Sequence, residues 1–168
     1  MKNGFPVMDS DLHTMEPDDL WDRYLEAPYR DRLPQFTHRD DWASHVPLIQ
    51  LGHLSIGDYM DDQPTLTAES KLQDQSYARH DHLEFARSKD FDAATHIQAI
   101  DIEGVDVGVL YGTRGRQILQ HDDLEPDYAA ALARAHNRWT YDFCQYDPKR
   151  LKFASQIAMH DVGLAIEE

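Results

Sequence analysis

The chain has 168 residues, 41% hydrophobic and 28% charged, a balance that fits one domain with a real core and excludes a disordered or fibrous chain. Sixteen Lys and Arg against 31 Asp and Glu leave a formal net charge of −15, a field that repels phosphate backbones and anionic surfaces, so neither nucleic acid nor a membrane is an expected partner. No apolar run nears the roughly 18 residues of a bilayer span, residues 1–8 lack the pattern of a signal peptide, and the single cysteine, Cys144, excludes an internal disulfide, so a reducing cytoplasm is the expected location.

Residues 7–13 alternate, which predicts a first strand with Val7, Asp9, Asp11 and His13 on one side and Met8, Ser10 and Leu12 on the other. Glu16-Pro17-Asp18-Asp19 opens a helix whose apolar stripe is Leu20, Trp21, Tyr24 and Leu25. From 28 to 88 the pattern dissolves into Pro, Asp, His and Gln, broken by short apolar pieces at 46–51 and 53–56, which predicts a long insertion carrying a small hairpin. Because it leaves the C-terminal end of a strand, it is expected to fold like a lid over the end where chemistry sits.

Helical spacing returns over 91–103 and stops at Gly104, and 105–111 is a short β-branched run suited to a strand buried on both faces. The best helix runs from Pro126 to the stop at Asp147-Pro148 through Tyr128, Leu132, Ala135, Trp139, Phe143 and Tyr146, and Cys144 within it reads as buried and inert. Residues 151–159 make a third strand, and Asp161 caps a last helix. This order implies parallel strands joined by right-handed crossovers, an α/β architecture.

Asp11 and His13 stand on one side at the C-terminal end of the first strand, about 7 Å apart along it. A carboxylate and an imidazole so placed can grip one divalent ion, and the same spacing also suits the wet face of an amphipathic edge strand.

The stretch Val7-Met8-Asp9-Ser10-Asp11-Leu12-His13-Thr14-Met15-Glu16-Pro17-Asp18-Asp19-Leu20-Trp21 resembles the opening of the amidohydrolase-related family, in the branch that includes aminocarboxymuconate-semialdehyde decarboxylase. Residues 102–113 resemble that family's second strand, Asn137-Arg138-Trp139 its following helix, and 151–161 its third strand; the insertion lies outside the likeness. The resemblance implies a metal-dependent (β/α)8 TIM barrel acting as a hydrolase, or as a non-oxidative decarboxylase or hydratase, on small carboxylated substrates. Many members end the first strand His-x-His, both metal ligands; here Asp11 takes the first place and His13 the second. Zinc suits that pair best, with manganese or iron as alternatives.

A full barrel of this kind takes about 250 residues, so the chain is expected to form its first three strands, a partial barrel. The family's further ligands, a histidine on the fifth strand and an aspartate on the eighth, match nothing here. The chain alone is expected to be inactive, and to associate with a second copy or with the missing half.

Other residues are read more openly. Tyr111, Thr113 and Arg114 end the second strand in the same layer, where Tyr111 would contact substrate and Arg114 would hold a substrate carboxylate, or else pair with one of the abundant acids. His160, after the third strand, would serve as a proton donor or substrate contact, or cap a helix and meet water. His80-Asp81-His82 copies the His-x-His spelling inside a charged stretch that reads as a solvated face. The rival reading is a non-catalytic α/β domain that binds a ligand or partner.

Overall fold

In a computed structural model of the chain, the described residues are 3–37, 48–51, 54–56, 85–86 and 88–168. In chain order they form β1 (Met8–Thr14), α1 (Leu20–Tyr24), a 3-10 segment (Ala27–Arg32), β2 (Gln35–Thr37), β3 (Leu48–Leu51), β4 (Leu54–Ile56), α2 (Ala93–Glu103), β5 (Val107–Gly112), α3 (Arg114–Leu119), α4 (Pro126–Cys144), β6 (Leu151–Phe153) and α5 (Val162–Glu167). β1, β5 and β6 make one sheet in that order, parallel throughout, and β2, β3 and β4 make a separate antiparallel sheet inside the expected insertion. The β3–β4 pair is the hairpin that the two short apolar pieces predict.

Local chemistry sets the helix ends. Asp92 caps α2 by accepting from the Thr95 amide at 2.8 Å, and Gly104 closes it in the left-handed region at φ 72°, where a Cβ is costly. Pro126 occupies the first turn of α4, where its missing N–H costs nothing. α4 is the axis of the core. One apolar cluster joins Leu20, Trp21 and Leu25 of the α1 region to Ile118, Tyr128, Leu132 and Trp139, and Ile49 and Leu51 of β3 are sealed within it. The second joins Leu110 and Leu151 of the parallel sheet to Ala93 and Ile100 of α2 and to Cys144.

Helices therefore cover one face of the parallel sheet. Leu12, Leu110 and Phe153 pack on that side, while their neighbours His13, Tyr111 and Lys152 belong to the opposite face, which stays open among the described residues. This corrects the expectation that the run 105–111 is buried on both faces: Leu110 is fully buried and Tyr111 is 38% exposed.

Two further expectations change. The third strand is not 151–159 but only Leu151–Phe153, because the Asn137 side chain takes the backbone of Gln156, donating to its O at 2.9 Å and accepting from its N at 2.8 Å, in place of a ladder partner. And Arg114, expected at a strand end, begins the helix α3.

Candidate metal centre on the open face of the parallel sheet

The site begins with an irregularity in β1. Asp9 pairs with Gly108 and Leu12 with Leu110, so three steps of β1 match two of β5, a bulge that Asp9 braces by accepting from the Asp11 amide at 2.9 Å. An extra residue reverses which face the chain presents. Asp9 therefore shares its side with Gly108, while His13 shares the open side with Tyr111, and the expected common face of Val7, Asp9, Asp11 and His13 does not run through the strand.

Beyond the bulge the expected pair forms. Asp11 Oδ1 lies 3.7 Å from His13 Nε2, with the two side chains 82% and 46% exposed. His13 Nδ1 is 3.3 Å from Thr113 Oγ1, and the Thr113 hydroxyl donates to Thr14 O at 2.9 Å. From α2, His96 donates from Nε2 to His13 O at 3.2 Å, while its Nδ1 faces Phe91 O at 3.1 Å and its ring meets Phe143 edge-on. Tyr111 stands beside His13 in register.

This donor pair suits a divalent ion. Two ligands each about 2.1 Å from a tetrahedral ion stand about 3.4 Å apart, close to the observed separation of carboxylate oxygen and ring nitrogen. Among the described residues no group of three or more His, Cys, Asp or Glu side chains converges, so Asp11 and His13 stand there as a pair.

The other candidates lie elsewhere. Arg114 is a buried structural cation, not a free clamp for substrate: its Nη1 donates to Glu16 O and to Asp18 Oδ1, each at 2.7 Å. His160 Nε2 donates to His121 O at 2.8 Å, and its buried Nδ1 has no partner among the described residues, so the structure ties it to the turn before α4. His80 and His82 lie outside the described residues.

Sequence reasoning missed a buried polar knot next to the site. Glu16 Oε2 and Oε1 accept from the amides of Arg114 and Gly115 at 2.9 Å each, and Oε1 lies 3.0 Å from His136 Nε2. Burial pushes the Glu16 carboxyl up, but the His136 bond and charge, with the two amides, outweigh it and hold the group below its usual value. Gln156 Nε2 approaches His136 at 3.2 Å, and Thr140 Oγ1 lies 3.3 Å from His136 Nδ1. One signal pointed here: position 136 shares the buried stripe of Leu132 and Trp139, and a histidine on such a stripe needs a polar partner.

No protein-family model matches the sequence, and no curated protein matches it. Among solved structures, the chain is similar to a crystal structure described as an amidohydrolase of Mycobacterium avium subsp. paratuberculosis K-10, with a TM-score of 0.62 and 16% identity over 98% of the chain. The chain spans 45% of that protein's length. The likeness is one of fold, a mixed α/β arrangement around a parallel sheet. Among the described residues no helix is long and apolar enough to cross a membrane.

Proposed function

We propose that this chain is part of a metal-dependent enzyme of the amidohydrolase-related type, built on a (β/α)8 barrel of which β1, β5 and β6 are the first three strands. The reaction is hydrolysis, or non-oxidative decarboxylation or hydration, of a small carboxylated substrate. One observation carries this reading: a carboxylate oxygen and an imidazole nitrogen lie 3.7 Å apart at the C-terminal end of a parallel strand, on the face that helices leave open. The solved amidohydrolase of like fold supports it.

Asp11 and His13 would hold one divalent ion, zinc in the first instance and manganese or iron otherwise, with further ligands from parts of the barrel outside the described residues. Such an ion supplies Lewis acidity, polarising a substrate oxygen and making water more acidic. Tyr111, half exposed on the same face, donates its phenol to a substrate carboxylate.

Titration with Zn2+ tests the reading. The full-length protein takes up about one ion, and His13→Ala loses most of it, because removing one of so few ligands leaves the ion to water. Equal zinc content in both proteins would overturn the assignment. Cytoplasmic residence, expected from the single cysteine, belongs to the same proposal.

A second reading, a partner-binding α/β domain, draws on a different observation. Beyond β6, Ile157, Met159, Val162 and Ile166 are exposed, and β1 and β6 each have one ladder neighbour among the described residues. Such edges invite pairing with a second copy or with a complementary barrel half. Mass by light scattering checks it: a stable monomer at all concentrations counts against association.

A further inference from the structure

Thr113 stands at the N-cap of α3, where a threonine hydroxyl ordinarily accepts a bond from an amide of the first turn. It makes no such bond. The helix's leading amides, those of Arg114 and Gly115, belong instead to the carboxylate of Glu16. Capping by Glu16 releases the Thr113 hydroxyl, which turns back to β1 and meets both Thr14 O, at 2.9 Å, and His13 Nδ1, at 3.3 Å.

A hydroxyl carries one proton, and a carbonyl oxygen only accepts. The Thr113 proton is therefore committed to Thr14 O, and Oγ1 meets His13 Nδ1 only as an acceptor. Nδ1 must then bear hydrogen, and a neutral imidazole protonated there has its lone pair on Nε2. Nε2 is the nitrogen that lies 3.7 Å from Asp11 Oδ1. The backbone of the same residue is held by His96, through the bond to His13 O at 3.2 Å.

We propose that Thr113 is a positioning residue that fixes the tautomer of His13 and so presents a bare Nε2 beside Asp11 to a divalent cation. The role of the cation rests on the metal reading above; the tautomer does not. Outer groups that orient a ligating histidine in this way typically change metal affinity about 10–100-fold when removed.

The test is a long-range nitrogen–proton NMR spectrum of the His13 ring in the metal-free chain, recorded well above the ordinary imidazole pKa of about 6.5. The wild type is expected to show hydrogen on Nδ1 and none on Nε2. Thr113→Val, which keeps the shape and removes the hydroxyl, shifts the population toward Nε2–H, and Thr113→Ser restores the wild-type pattern. Thr113→Val also gives up the bond to Thr14 O, so its melting temperature falls by a few degrees; the ring spectrum, recorded on the folded chain, is the readout that a merely structural role leaves unmoved. A wild-type ring with hydrogen on Nε2, or a spectrum that Thr113→Val leaves unchanged, overturns the proposal.

Zn2+ titration of the full-length protein supplies the second arm. Binding weakened about 10–100-fold in Thr113→Val and recovered in Thr113→Ser supports the presentation of Nε2 to metal. Equal affinity in all three proteins overturns it. A wild type with the Nδ1–H ring that takes up no zinc supports the positioning of His13 and overturns the metal reading alone.

Discussion

Glu16 and His136 meet at 3.0 Å with 0% and 1% of their side chains exposed, joining the exit of β1 to the interior of the longest helix. Breaking a buried pair by removing one partner costs about 3–5 kcal/mol, because the other is left without compensation. Glu16→Ala should accordingly lower Tm by roughly 10 °C. A calorimetric scan checks this, and a change within a degree or two would show that the pair adds little.

The same carboxyl makes stability depend on acid. Its folded pKa lies below the usual value of 4.5, so its contribution is complete above that value and is lost as pH falls through and below it. Urea midpoints of the wild type should fall on acidification from about pH 5, and Glu16→Gln should flatten that part of the curve.

Gly112 lies against the same pair. A Cβ there would come within 2.3 Å of Gln156 Nε2 and 2.4 Å of His136 Nε2. Gln156 is a long side chain that can move aside; the ring of His136 is pinned by Glu16. Gly112→Ala should therefore destabilise by about 1–3 kcal/mol, the ordinary cost of overpacking, as read from denaturant midpoints.

The insertion is anchored as well as attached. Ile49 is fully buried and Leu51 is 5% exposed, both in the cluster around α1 and α4. Ile49→Ala should cost about 2–5 kcal/mol, the range for emptying a buried aliphatic position. A variant that unfolds at the wild-type urea concentration would show that the β2–β4 sheet can detach from the helices freely.

Cys144 should resist alkylation. Burial pushes its thiol up to about 11, so almost none is thiolate at neutral pH. Iodoacetamide should label it only as the protein unfolds, with the rate following denaturant concentration; prompt labelling of the native chain at pH 7 would contradict its burial.

Asp11 and His13 were legible in the sequence because two residues at a strand's end need only its period of two to share a face. The bulge was not, since a missing ladder partner on β5 leaves no mark in the sequence of β1. Arg114 was misplaced for a related reason: α3 is only 6 residues long, too short for a period to show, and its cap comes from Glu16, 98 positions earlier. Glu16 read as an acid favouring the start of α1, a sound local reason that its buried contacts supersede. The parallel arrangement was legible from the alternation of strand and helix, and the two long helices from their caps and stripes. Where β6 ends was not, because Asn137 acts across space.

The added residue in β1 also makes the strand two separately adjustable pieces. Above it, Leu12 and Thr14 are locked into the helical layer and hold Asp11 and His13 to the open side; below it, Met8 is 64% exposed and Asp9 turns the other way. Removing Ser10 would restore one uniform alternation, and the upper piece, being the better packed, would keep its facing while the lower piece rotated. Apart from Asp9, which holds the Asp11 amide, changes at the strand's entrance can thus accumulate without disturbing its exit: what Met8 shows to solvent is free to drift, while Asp11 and His13 stay where the helices put them.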